Sequence, residues 1–327
     1  MSMTDTAIRW GILGTGNMAG RMVGCIRAMG GEVVAVGSRT TASAQAFAQR
    51  HEVGRAFGSY EQLAAEADVD VVYIATTNDQ HYANAMSCLR HKRAVLCEKP
   101  LTIDAEQTRE LVDTARSLGV LLVEAMWMRF QPFVPVLDDI IGSGAVGDIN
   151  HVEASFSFLA ERGATNRWFG PGLGGGSLLD IGVYPLTLAY HLFGKPAATQ
   201  ATATLASTGV DEQTAVCSQH SGGALSVLTS SFVAATAAEA TIAGPGGRIR
   251  LQSPFHHCET IIVETSESSA VKRYDTSYAG DGLECEIAEV HRCLRESLIE
   301  SPLMPHADSI AIAEWTTQIL AQIGVRY

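Results

Sequence analysis

Basic residues are scarce in this chain. Lys and Arg total 23 against 35 Asp and Glu, a formal net charge of −12. So acidic a chain is repelled by phosphate backbones and anionic bilayers, so non-specific nucleic-acid and membrane-surface binding are excluded. A local basic pocket remains open. Long apolar runs are also missing. Gly, Pro, His or a charge interrupts every stretch well before the about 18 residues that a membrane span requires. Cysteine is sparse and unpaired in pattern: the seven stand at 25, 88, 97, 217, 258, 285 and 293, with no CxxC. That pattern predicts buried reduced thiols in a cytoplasmic protein. Residues 1–8 carry acid and Thr where a signal peptide has a basic segment and an apolar core, so no leader is expected. Metal-ligand spacing is absent as well. His81 has no partner at ligand distance in sequence, and His256-His257-Cys258 falls short of a zinc set, so no metal is expected.

What is present is a large globular composition, 46% hydrophobic and 18% charged over 327 residues. A chain of this length predicts about two domains and needs no staples to hold a core. In the first 125 residues, β-rich runs at 8–13, 32–36, 71–75, 94–97 and 120–123 alternate with helix-period segments. Those segments lie at 18–29, 42–50, 60–66, 80–90 and 105–118. Such alternation reads as βαβ units, and the near-continuous apolar strands predict a parallel sheet covered on both faces. The fold class expected is α/β: an N-terminal doubly wound Rossmann sheet at 1–125, then an α+β substrate-binding and oligomerisation domain at 126–327. The second domain begins with a helix at 132–141 and a strand at 149–158. A glycine turn at 170–176 and an apolar helical stretch at 177–192 follow. Thr/Val/Ser-rich text at 199–273 then predicts five or six strands of an open, mostly antiparallel sheet. Helical period returns at 282–298 and 307–323.

Gly14-Thr15-Gly16-Asn17-Met18-Ala19 fits G-x-G-x-x-G/A and stands between the first strand and the first helix, the context that gives the motif meaning. Gly14 allows a tight turn, Gly16 lets backbone approach a pyrophosphate, and Ala19 permits close helix–strand packing. Gly16, Asn17 and Met18 open a helix whose free N–H groups suit phosphate. At the end of the second strand, where NAD-binding folds place an acid for the ribose, the sequence reads Ser38-Arg39-Thr40. Two hydroxyls and a guanidinium suit a 2′-phosphate. NADP is therefore expected over NAD, with NAD also open.

Two further segments carry a resemblance. Ala75-Thr76-Thr77-Asn78-Asp79-Gln80-His81 resembles the A-T-x-x-x-x-H stretch, and Glu98-Lys99-Pro100 the E-K-P motif, of the Gfo/Idh/MocA oxidoreductase family. The segments 124–130 and 174–185 are similar to its dimeric dihydrodiol dehydrogenase and NADP-dependent D-xylose 1-dehydrogenase branch. The resemblance implies a nicotinamide cofactor and a sugar-like or diol hydroxyl or carbonyl as substrate. It makes Lys99 the catalytic lysine and adds Thr76, Asn78, His81, Glu98 and Lys99 to the cofactor-binding set. Many members carry Asp-x-x-x-His in the second domain. Here the spacing is Asp180-x-x-x-Tyr184, which supports that branch and counts against inositol dehydrogenase.

Hydride transfer from an alcohol needs a group that takes the hydroxyl proton. A phenol ordinarily holds its proton to near pH 10, and a neighbouring ammonium eases its loss. Tyr184 is therefore expected to act as acid/base with Lys99. Asp180, one helical turn before Tyr184, is expected to accept a substrate hydroxyl. Trp127, Arg129, Arg167 and Trp168 supply aromatic walls and planar donors suited to a polyol or diol. Two rivals stand beside this reading: a sugar-keto reductase of the same family, and a non-catalytic NADP-sensing regulator, which has no use for a proton-relay set. The uninterrupted strands of 199–273 predict an apolar face left uncovered, and hence a homodimer or higher homo-oligomer through that sheet.

Overall fold

The computed structural model describes residues 7–162 and 166–327. The leader reading at residues 1–8 therefore lies outside the described residues except at 7 and 8. In chain order the elements are β1 (Arg9–Leu13), α1 (Asn17–Ala28), β2 (Glu32–Gly37), α2 (Thr41–His51), β3 (Arg55–Phe57), α3 (Tyr60–Glu66) and β4 (Val71–Ile74). There follow α4 (Asn78–Arg90), β5 (Ala94–Glu98), α5 (Ala105–Leu118), β6 (Leu122–Ala125), α6 (Phe133–Gly142), β7 (His151–Ser157) and α7 (Val183–Phe193). The rest are β8 (Ala198–Leu205), β9 (Asp211–Gln219), β10 (Leu225–Ser231), β11 (Ala240–Gly244), β12 (Gly247–Leu251), β13 (Thr260–Thr265), β14 (Val271–Asp275), α8 (Leu283–Arg295) and α9 (His306–Ile323). They form two units: Met1–Met126 with Gly280–Ile310, and Trp127–Ala279 with Ala311–Tyr327.

The first unit is a six-stranded parallel sheet in the order β3-β2-β1-β4-β5-β6. Its crossover helices begin and end where side chains dictate. Thr40, Ser59 and Asp104 each accept the backbone N–H three residues on, opening α2, α3 and α5, and Gly119 closes α5 in the left-handed region. One sheet face, with Leu13, Val72, Ile74, Val95 and Cys97, packs against Leu89, Leu111 and Val112 of α4 and α5. The register Ile12↔Tyr73↔Leu96 defines the opposite face. There α8 lies beside α1, and Trp10 Nε1 donates to His291 Nε2 at 3.0 Å. A single cut at 125 therefore does not describe the division. The segment Gly280–Ile310 belongs to the first unit, because this sheet face needs α8 to cover it. The short edge strand β3 was not anticipated; its three residues are too few to show a period.

The second unit holds an eight-stranded sheet in the order β14-β13-β12-β11-β7-β10-β9-β8. Its pairs are antiparallel except β7 with β10. Val152, Val216, Leu228, Ile242 and Ile249 point inward and are buried. On the outward face Cys217 pairs with Val227, Leu225 with Gln219, and all but Gln219 and Cys217 are exposed large aliphatics. The outward face is not apolar throughout, as the sequence led us to expect. Toward β12 and β13 it carries Arg248 and Arg250, both ion-paired with Glu264. The thiols also depart from expectation at two positions. Cys217 is exposed and Cys285 half-buried, while the other five are buried.

Candidate functional site

The phosphate loop has the geometry its residues imply. Gly14 sits at φ 109°, and a Cβ there would lie 2.4 Å from the Ala75 carbonyl oxygen. Only glycine fits so close to β4 at that backbone angle. Gly16 is the N-cap of the twelve-residue α1 and supplies no side-chain cap. A Cβ on Gly16 would meet nothing within 4 Å. Gly16 and Asn17 are exposed and no side chain caps the helix, which fits a dinucleotide pyrophosphate. Asn17 is exposed and Met18 half-buried at that end. After β2, Ser38 is buried and Arg39 is exposed. Thr40 spends its hydroxyl on α2, accepting Ser43 N–H at 3.2 Å and donating to Ser43 Oγ at 2.9 Å. Its expected place against a 2′-phosphate is thus shared with a capping duty.

Lys99 follows β5 at the C-terminal edge of the parallel sheet, joined to Pro100 by a cis peptide. Three buried groups fix that loop. His81 Nδ1 donates to the Pro100 carbonyl at 2.8 Å, its Nε2 lies 3.3 Å from the Thr76 carbonyl, and the ring is fully buried. Burial pushes the imidazole's proton affinity down. His81 ties together the loops that follow β4 and β5. Glu124 accepts Leu101 N–H at 3.1 Å. Tyr73 donates to Glu98 Oε1 at 2.5 Å, and Asn84 Nδ2 donates to Thr76 Oγ1 at 3.2 Å. Asn78 opens α4 beside Thr76. Sequence reasoning missed Tyr73 and Glu286, since each stands in an ordinary apolar or amphipathic run, and it gave Glu124 no role although it opens the 124–130 segment. Glu286, on α8, is 0% exposed, and neither carboxyl oxygen has a hydrogen-bond partner. Burial pushes its acidity well above the usual carboxylate range, and the charge of Glu98 pushes it further.

In the second unit, residues Leu178–Gly182 form a single π-helical turn that runs into α7. Wide turns of this kind are frequent at functional sites. Asp211 at the start of β9 holds this turn. Its Oδ2 accepts from Ser177 Oγ (2.7 Å), Leu178 N–H (2.7 Å) and Thr214 Oγ1 (2.8 Å). Burial keeps the Asp211 proton affinity above the usual carboxylate range in spite of those three donors. Gly176 precedes the turn at φ 116°, and a Cβ there would lie 2.4 Å from Asp211 Oδ1. The glycine run was legible in the sequence; its distant carboxylate was not.

Asp180 and Tyr184, on the π turn and on α7, are both buried. Arg167 Nη1 donates to Asp180 Oδ1 at 3.4 Å, and its guanidinium lies 5.4 Å from the Trp168 ring. Trp168 itself packs edge-on against Phe158. Tyr184 lies in a box of rings, 5.6 Å from Phe156 and 4.9 Å from His256. Trp127 stacks on His257 at 4.7 Å, and Arg129 is half-buried in the same 3₁₀ turn. The structure thus gathers Asp180, Tyr184 and Arg167 within the second unit, and Lys99, Glu98, Thr76 and His81 within the first. Among the described residues no cluster of three or more His, Cys, Asp or Glu is arranged to hold a metal ion. No helix of the described residues is long and apolar enough to cross a membrane.

Comparison with known proteins agrees with this geometry. Residues 8–126 match the oxidoreductase family with an NAD-binding Rossmann fold, and residues 136–250 its Gfo/Idh/MocA C-terminal domain. The trans-1,2-dihydrobenzene-1,2-diol dehydrogenase of Xenopus tropicalis is 34% identical over 98% of this chain and 99% of its own. That of Danio rerio is 36% identical over 98% of each chain. Among solved structures, KijD10, a 3-ketoreductase from Actinomadura kijaniata in complex with NADP and TDP-benzene, superposes with a TM-score of 0.86. It is 25% identical, over 97% of this chain and 98% of its own. A levoglucosan dehydrogenase with NADH and levoglucosan, 18% identical over 98% and 97% of the two chains, shares the fold at a TM-score of 0.87. A parallel sheet with an uncapped phosphate helix, joined to a large open sheet and matched along the whole chain, makes this protein an NAD(P)-dependent oxidoreductase of the Gfo/Idh/MocA family, acting on CH–OH groups.

Proposed function

We propose that the enzyme is an NADP-preferring dehydrogenase of a sugar or diol hydroxyl, with Tyr184 and Lys99 as its acid/base pair. The observation that carries this reading is Lys99, held by buried ties at the C-terminal edge of a parallel sheet that also presents an uncapped phosphate helix. Ligands of such sheets bind at that edge. The nicotinamide supplies the hydride acceptor when bound. Tyr184 takes the hydroxyl proton, Lys99 as an ammonium favours the phenolate, and Asp180 accepts a neighbouring substrate hydroxyl. Gly14, Gly16, Asn17, Met18, Thr76, Asn78 and Glu98 line the dinucleotide, with Ser38, Arg39 and Thr40 at its adenosine end. NADP preference is supported by exposed Arg39 and by the absence of Asp or Glu between Val36 and Thr41. Trp127, Arg129, Arg167 and Trp168 wall the substrate. The dihydrodiol dehydrogenases at 34–36% identity support a diol or sugar as substrate class.

The test is reduction of NADP⁺ and of NAD⁺ by the purified protein over aldoses, inositols and trans-dihydrodiols. We expect turnover on one class, faster with NADP⁺. Tyr184→Phe should lower kcat by about a hundredfold or more while NADPH still binds. Turnover unchanged in Tyr184→Phe overturns the pair. The likeness to a 3-ketoreductase at 25% identity favours a second reading, reduction of a sugar ketone; NADPH oxidation by keto-sugars with no alcohol oxidised would select it. NADPH binding with no turnover in either direction would select the sensor. Assembly as a homodimer through the open sheet is supported by the exposed aliphatics of β10.

A further inference from the structure

We propose that His256 is a positioning residue for Tyr184, an inference that rests on reading Tyr184 as the acid/base. His256 stands on a short 3₁₀ turn, Phe255–His257, between β12 and β13. The sequence shows only two adjacent histidines that fail as a zinc set. In the fold, His256 is 7% exposed, and besides its chain neighbours Phe255 and His257 its ring meets three others. It stacks on Phe156 of β7 at 4.3 Å and 19°. It leans on Tyr184 of α7 at 4.9 Å and 42°. Trp127 meets it edge-on at 5.7 Å and 69°. His256 is the ring that touches all three, and Phe156 also meets Tyr184 directly at 5.6 Å.

Two physical consequences follow for Tyr184. A phenol that exchanges a proton with a substrate hydroxyl must be held within a fraction of an ångström of its productive place. The faces of His256 and Phe156 restrict the tyrosine ring on two sides. The second consequence is electrostatic. A phenolate among hydrocarbon rings alone is poorly solvated, and an imidazole offers a polar N–H edge where phenylalanine offers none. A packing role alone would be filled as well by an apolar ring, without burial of a polar one.

The turn itself is anchored. His257 stacks on Trp127 at 4.7 Å, and a hydrogen bond of 2.9 Å joins Tyr278 Oη to His257 Nδ1. The titratable groups that meet the His256 ring include Tyr184 from α7 and His257 from its own turn; Tyr278 is bonded to His257, and Arg129 lies on the turn that carries Trp127. Phe156 contributes none from β7.

The experiment is a near-ultraviolet tyrosinate titration, taken as the difference between each protein and its Tyr184→Phe counterpart. It isolates Tyr184 and needs no substrate. His256→Phe keeps a stacked ring and removes the polar edge; we expect it to raise the Tyr184 midpoint by about half a pH unit or more. The pH optimum of kcat/KM should move in the same direction. His256→Ala removes the stack as well and should lower kcat about tenfold with the KM for NADP⁺ unchanged. Thermal melts confirm that both variants are folded. A Tyr184 midpoint unmoved in both overturns the proposal. Because the titration is read without turnover, a substrate panel that stays silent counts against the acid/base reading and not against His256.

Discussion

Glu286 carries a cost at the scale of one side chain. A carboxyl shut off from water and hydrogen-bond donors is held in its neutral form, because the ionised form is so poorly accommodated. In the unfolded chain the same group ionises above about 4.5, its ordinary value. Over the range from there to its raised folded value, the folded protein binds a proton that the unfolded chain has lost. Stability is therefore full below pH 4.5 and falls as pH rises, by up to about 1.4 kcal/mol per pH unit for one group. Glu286→Gln removes that slope. We expect the melting temperature of the variant, relative to wild type, to climb steadily between pH 5 and pH 8. A constant difference across that range would show that Glu286 is ionised in the fold. The same scale separates what was legible from what was not. Gly14, Gly16, Lys99 and Tyr184 stand in contiguous words whose spacing carries meaning. Glu286, Tyr73 and His256 meet their partners through space, across separations that no local pattern records.

At the scale of elements, the π turn that introduces α7 depends on a residue of another strand. Asp211 offers one oxygen to three donors, two of them at the turn's own start. We expect Asp211→Ala to leave those donors buried without an acceptor, at a cost of roughly 3 kcal/mol or more. Its thermal melt should fall accordingly. Turnover should fall further than that loss of folded protein explains, because Asp180 and Tyr184 are carried on the turn. Apart from β3, the strands and helices up to Met126 were readable from their period, and Ser59, Asp104 and Gly119 then fix helix ends by local chemistry. The π turn was not, because residues 178–189 are buried throughout and leave no one-sided stripe in which a widened turn would show. The position of α8 was also hidden. Its stripe of Leu283, Ile287 and Val290 announces a buried face without saying whose.

At the scale of the whole molecule, the proposed dimer rests on the open sheet. Leu225 and Val227 are exposed on β10, and Val227 pairs with the exposed Cys217. Exposed aliphatics in a central strand are unusual unless another surface covers them. A dimer through this face predicts that Val227→Lys converts it to monomer, read by light scattering at micromolar protein. A wild type that is already monomeric there removes the reading. The charged ladder of Arg248, Arg250 and Glu264 limits the apolar contact to the β8–β10 side of the sheet.

The discontinuous first unit has a consequence for synthesis. The sheet face with Trp10 and Tyr73 emerges from the ribosome early, and the α8 that covers it only after about 150 further residues. At 5–20 residues per second, that face waits roughly ten to thirty seconds for its helix. During that interval the nascent chain displays to chaperones a tryptophan that the finished fold buries, and an expression fragment ending at Met126 would display it for good.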